Sequence, residues 1–134
     1  MITRLSYEDS GVEWIGDIPS EWNIKPMYTQ YCQNRIRNDN STDTVLSLSY
    51  GNLVKRDIEK NQGLLPDNFD SYQLLDVGYI ILRMTDLQND HKSLRVGICE
   101  FPGIITSAYI GLSPFKSVYS KYFFYYLYMC DLKK

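Results

Sequence analysis

The chain of 134 residues has few of the features that announce chemistry. It has one histidine, His91, and three scattered cysteines, Cys32, Cys99 and Cys130. Three widely spaced thiols make neither a disulfide framework nor a zinc site; they fit a reduced cytosolic protein with buried thiols. No apolar run reaches the roughly 18–20 residues that span a bilayer. The opening Met1-Ile2-Thr3-Arg4-Leu5-Ser6 lacks the apolar stretch of a secretory signal. Neither G-x-x-x-x-G-K-[ST] nor G-x-G-x-x-G occurs, so no phosphate-cradling loop is present. His91 stands beside Asp90 in a polar stretch with no nucleophile motif near it, and the acids are spread singly. Asp86 and Asp90 are two acids of a polar loop, which are ordinarily solvated. No catalytic residue, metal ligand or cofactor is therefore assigned, and the expectation is a non-enzymatic domain that binds a partner.

Charge is also lacking in one direction. Fourteen Lys and Arg against 16 Asp and Glu give −2, which by itself argues against a nucleic-acid binder. The balance is uneven, however. Residues 1–24 hold five acids (Glu8, Asp9, Glu13, Asp17, Glu21) and one base (Arg4), leaving the rest with 13 bases, 11 acids and a net +2. What is abundant is apolar and aromatic surface. A hydrophobic share of 44% excludes general disorder, and the 12 tyrosines suit a recognition surface because each has an apolar ring and a polar tip.

The pattern along the chain predicts an α/β (α+β) domain: a mixed, mostly antiparallel twisted sheet with a short N-terminal helix and a C-terminal helix. Residues 1–20 read as an irregular arm punctuated by Gly11, Gly16 and Pro19. Residues 21–116 read as a β-rich core, and 117–134 as a helix. Glu21 to Lys25 alternates like a short strand, and Met27 to Cys32 reads as the short helix. Thr44 to Tyr50 and Leu53 to Ile58 form a hairpin about Tyr50-Gly51-Asn52. Tyr72 to Val77, Tyr79 to Met84, Leu94 to Cys99 and Ile104 to Ile110 are further strands. The run at Tyr79 to Met84 is continuously apolar, as a strand buried on both faces requires. In the tail, Tyr119, Tyr122, Phe123, Tyr126, Leu127 and Cys130 recur with helical period, Ser117 is the N-cap, and Phe124, Tyr125 and Tyr128 fall off that stripe. The chain stops at Leu132-Lys133-Lys134 without a helix stop signal and reads as cut short.

One loop is dense in readout chemistry. R-M-T-D-L-Q-N-D-H-K-S-L-R, Arg83 to Arg95, joins two strands and offers Arg83, Thr85, Asp86, Gln88, Asn89, Lys92 and Arg95. Arginine pairs with guanine, Gln and Asn with adenine and Asp with cytosine, while Lys holds phosphate. A solvated hairpin loop has the same composition, and composition alone favours it. Tyr50, Lys55 and Arg56 form a weaker second cluster, which a hairpin tip with ordinary surface charges explains equally well. Arg35 and Arg37 are further candidate phosphate contacts.

Longer strings carry a resemblance. D-S-G-V-E-W-I-G-D-I-P-S-E-W (Asp9 to Trp22) resembles the start of specificity subunits of type I restriction-modification systems. V-L-S-L-S-Y-G (Val45 to Gly51), G-L-L-P-D-N-F-D-S-Y-Q (Gly63 to Gln73), I-L-R-M-T-D-L-Q-N-D-H-K-S-L-R-V-G (Ile81 to Gly97) and G-I-I-T-S-A-Y-I (Gly103 to Ile110) resemble one group of their target recognition domains. The resemblance implies a non-catalytic, cytoplasmic subunit that reads half of a split double-stranded DNA site. It also implies docking to modification (methyltransferase) subunits and motor-nuclease subunits. The chain departs from the pattern in having one recognition domain and no full helical spacer. It reads as a truncated product, a silent cassette, or a half-subunit that pairs with a second half-subunit. Tyr79 stands where an acid is frequent. The alternative expectation is a protein-interaction module that docks modification subunits without productive DNA binding.

Overall fold

The computed structural model describes residues 6–56, 68–85, 88–89, 92–116 and 118–133. The chain divides into two compact units, one through Gln30 and one from Tyr31 onward. The boundary thus falls ten residues later than the expected arm.

The first unit is more regular than its glycines and proline imply. Strand β1 (Tyr7–Asp9) pairs antiparallel with β2 (Asp17–Pro19), Glu8 facing Ile18. Between them, Val12 accepts hydrogen bonds from the amides of Ile15 (3.1 Å) and Gly16 (3.0 Å), closing the turn. The strand expected at Glu21 to Lys25 is absent; that stretch is exposed and irregular. The expected helix from Met27 shrinks to one 3-10 turn, Met27–Thr29, and Tyr31 and Cys32 go into a strand instead. Pro26 fixes an extended backbone at the turn's start, and no side chain caps it.

Among the described residues, the second unit holds a six-stranded, mostly antiparallel sheet and one C-terminal helix, the α+β architecture the pattern predicts. In chain order the strands are β3 (Tyr31–Gln33), β4 (Leu46–Ser49), β5 (Asn52–Lys55), β6 (Gln73–Leu75), β7 (Ile80–Leu82), β8 (Val96–Ile98), β9 (Gly103–Ile105) and β10 (Ile110–Pro114). The large sheet runs β3-β10-β7-β8-β5-β4, with β5 and β8 its one parallel pair. Strands β6 and β9 form a second, two-stranded sheet. A bridge from Val45 to Ile104 ties it to the entry of β4. The single strand expected over Ile104 to Ile110 is two strands. A turn closed by Tyr109 N–H to Thr106 C=O (3.3 Å) separates β9 from β10.

Leu46, Leu53, Leu75, Ile81, Cys99 and Ile105 form the core, with Leu48, Tyr79, Phe101 and Tyr109 packed against it. Ile80 and Ile81 are neighbours on β7, so their side chains leave opposite faces, and neither has any exposed surface. The sheet is thus covered on both faces at its centre, as the continuous apolar run requires. Among the cysteines, Cys99 is buried and Cys130 half-buried, but Cys32 is exposed on edge strand β3. The expectation of three buried thiols fails there.

The helix α1 (Ser120–Leu132) runs along β8. Tyr31 Oη donates to Ser120 Oγ (3.0 Å), and that hydroxyl donates to the Gly78 carbonyl, fixing the start of α1 beside the entry to β7. Burial pushes the Tyr31 phenol above its ordinary range. The buried side is one residue out of phase with the expected stripe. Phe124 is buried and Tyr128 half-buried; of the expected stripe Phe123, Leu127 and Cys130 are half-buried, whereas Tyr119, Tyr122 and Tyr126 are exposed. The expected stripe is aromatic, but so is its neighbour, so the period left the phase undetermined. The small buried Ser120, held by Tyr31, sets it. Ser117 lies outside the described residues, and the cap position is Tyr119, without a side-chain cap.

Candidate nucleic-acid interface

Strand register decides which of the candidate residues meet. β7 ends at Leu82, which faces Val96 on β8 and Ile110 on β10. The Arg83 amide donates to the Arg95 carbonyl (2.8 Å), so the readout loop leaves the sheet at this edge. β10 begins at the same edge. Antiparallel to it, β3 ends there: the Asn34 amide donates to the Gly111 carbonyl (2.6 Å), and exposed Arg35 follows. Arg37, also exposed, faces Gln73 on the small sheet. Buried Gln73 in turn donates from Nε2 to the carbonyls of Thr106 (3.2 Å) and Tyr109 (2.8 Å), and its Oε1 accepts from Asn34 Nδ2 (3.2 Å). This amide cross-links the three segments that lead into the edge.

The β4–β5 hairpin reaches the same edge with its tip. β5 runs parallel to β8 with Asn52 opposite Ile98, so Tyr50 and Gly51 lie level with the start of β8. A Cβ placed on Gly51 would stand 2.9 Å from Cε2 of Tyr128 and 3.8 Å from Cδ1 of Leu94, at the close of the readout loop. The tip, the loop and the last part of α1 therefore touch. Lys55 does not share this position. It lies five residues beyond Tyr50, about 16 Å away at the strand rise, with its ammonium 5.0 Å from the Phe101 ring centroid. Arg56 follows it, its amide donating to Val45 C=O (2.8 Å). The expected cluster of Tyr50, Lys55 and Arg56 is thus split between the two ends of one strand.

Within the loop, Gln88 and Asn89 form an exposed turn, and Lys92 and Thr85 are exposed. Arg83 is half-buried. Asp86 lies outside the described residues, as do Asp90 and His91. Arg95 departs from the expectation that it faces DNA. It is 6% exposed, and its Nη1 donates to the carbonyls of Arg83 (3.3 Å) and Thr85. Its own amide donates to the Asp131 carboxylate on α1. Arg95 closes the base of the loop and ties it to the helix. Composition does not separate it from Lys92, since both are bases of one polar run. The signal was its place directly before a strand.

The tip has an unusual backbone. Both of its residues are left-handed, Tyr50 at φ 49° and Gly51 at φ 81°, the pattern of a two-residue type I′ turn. Glycine accepts this freely, but tyrosine at such a φ costs about 1–2 kcal/mol. Tyr50 is 86% exposed. Tyr50 was among the candidates, but the strain in its backbone is a feature that the sequence reading did not single out. Tyrosine preceding glycine between two strands was its signal.

Comparison with protein-family models, curated proteins and solved structures finds no match for this chain. Among the described residues, no helix is long and apolar enough to cross a membrane, and no group of three or more His, Cys, Asp or Glu could hold a metal ion.

Proposed function

We propose that the chain is a sequence-specific double-stranded DNA recognition domain that performs no chemistry of its own. The observation that carries this reading is that Tyr50, the base of the loop bearing Gln88, Asn89 and Lys92, and Arg35 all lie at the same end of the strands of the large sheet. Gln and Asn present paired donors and acceptors for base edges, and the cations serve the phosphates. In keeping with the resemblance of its sequence strings, the domain reads one half of a split site as part of a cytoplasmic type I restriction-modification specificity subunit. Its partners there are the modification and motor-nuclease subunits, and a second half-subunit where the chain is itself a half. Tyr119 at the cap of α1 and Tyr122, Tyr125 and Leu132 along it, all more than half exposed, favour a second reading, in which the chain serves only to dock protein partners.

Selection of a 30-base-pair randomised duplex pool on the full chain separates the two. The DNA reading expects a short recovered motif and an affinity whose logarithm falls linearly with the logarithm of salt, with a shallow slope because few cations are at the edge. Recovery of no motif together with no salt-dependent binding refutes it and leaves the docking reading.

A further inference from the structure

We infer that Tyr50 is an aromatic reading element that lays its ring against the face of a DNA base. The inference rests on the DNA reading above and adds to it a mode of contact. Among the described residues, no side-chain hydrogen bond or ring contact holds Tyr50. Its backbone is left-handed at a turn position that Asn or Gly fills without strain, and the residue is 86% exposed. Residues kept in unfavourable backbone regions concentrate at working sites, where the neighbouring structure holds them in place. That support is present. The β4–β5 ladder pairs four residues on each strand, and Gly51 lies against the Tyr128 ring and Leu94. The ring is therefore delivered on a stiff tip beside the readout loop, not on a loose one.

The chemistry favours a base face over a phosphate. A phosphate needs only a cation or a hydroxyl, which a lysine or serine supplies at an unstrained position. A rigid aromatic surface offers stacking, which is tolerant of base identity and complements the hydrogen-bonding side chains of the adjoining turn. Stacking on a duplex base requires partial unstacking of a step, which protein wedges accomplish in bent sites.

The experiment compares the full chain with Tyr50→Phe and Tyr50→Asn on a duplex recovered by the unaltered chain from the randomised pool, scanned with 2-aminopurine. The unaltered chain and Tyr50→Phe are expected to bind within twofold of each other and to raise 2-aminopurine fluorescence at one step. Tyr50→Asn is expected to bind about tenfold more weakly or worse, without the fluorescence rise. It should also melt higher, which excludes misfolding as the cause. Equal binding by the unaltered chain and Tyr50→Asn overturns the inference while leaving the DNA reading standing. Loss in Tyr50→Phe as large as in Tyr50→Asn overturns it too, since the hydroxyl is then the contact. A lower melting point for Tyr50→Asn overturns the strain on which it is built. If the unaltered chain recovers no duplex, the DNA reading fails first and the inference falls with it.

Discussion

Replacing Arg95 with methionine tests whether this residue is a structural clamp or a DNA contact. Methionine keeps the length and removes the fork. The carbonyls of Arg83 and Thr85 then lose the Nη1 that bridges them at the base of the loop. A hydrogen bond from a charged donor is worth about 1.5–3 kcal/mol, so the two give an upper figure of about 3–6 kcal/mol. Part of this is returned, because a guanidinium at 6% exposure no longer has to be desolvated. A net loss of about 2–4 kcal/mol follows, equivalent to a melting point lower by about 10 °C in a chain of this size. The loss should be concentrated locally. Amides between Met84 and Leu94 should exchange much faster with deuterium in Arg95→Met, while those of β7 and β10 keep their protection. Chemical denaturation and hydrogen exchange by mass spectrometry, both without DNA, measure these effects. Unchanged stability and unchanged loop exchange would refute the clamp and return Arg95 to the set of surface cations.

Alanine at Gln88 or Asn89 should each cost about 1–3 kcal/mol in binding a selected duplex and relax one position of its motif, read by repeating the selection; unchanged affinity and motif for both remove the turn from the interface. Lys92→Glu should weaken all duplexes about equally and flatten the salt dependence, whereas a sequence-selective loss makes Lys92 a base reader. Gly111→Ala should destabilise by about 2–4 kcal/mol in urea melts, because its Cβ would stand 2.3 Å from Gln73 Oε1 and displace the amide that cross-links three segments; a neutral result means that Gln73 can move freely. Burial pushes the Cys99 thiol up to about 11, so at pH 8 only about one molecule in a thousand carries the thiolate. A thiol reagent should label exposed Cys32 quickly and Cys99 only on unfolding, and fast labelling of Cys99 in the native chain contradicts its burial.

The sequence was most legible where one physical demand decides the residue type. A strand covered on both faces must be apolar throughout, and Ile80-Ile81-Leu82 is. A two-residue hairpin needs a left-handed second position, and Gly51 supplies it. Legibility failed where two solutions share one composition. The tail is aromatic nearly all round, so helical period alone left the buried side open, and a contact between Tyr31 and Ser120, 89 residues apart in the chain, settles it. Likewise Arg95 and Lys92 are both cations of one loop, and only the strand pairing at the loop base separates a clamp from a surface charge. The hairpin cluster failed for a geometric reason. Tyr50 and Lys55 are close in sequence, but extended chain carries them to opposite ends of β5.

A chain of net charge −2 is an unpromising DNA ligand only if its charge is spread evenly, and here it is not. The five acids of residues 1–24 belong to the first compact unit, whereas the candidate readers all belong to the second. At that end of the strands stand Arg35 and Lys92 as exposed cations and Arg83, which is half-buried. Exposed charges interact over about a Debye length, near 8–10 Å at physiological salt, so a local surplus acts on a phosphate almost independently of charges farther off. Two or three cations nonetheless give modest attraction, which shifts the burden of recognition onto short-range contacts. The edge is equipped for such contacts, with the paired donors and acceptors of Gln88 and Asn89 and the rigid ring of Tyr50. A domain built this way should discriminate among duplexes more than it holds them. Its ratio of specific to non-specific affinity should therefore change little between low and physiological salt, while both affinities fall together.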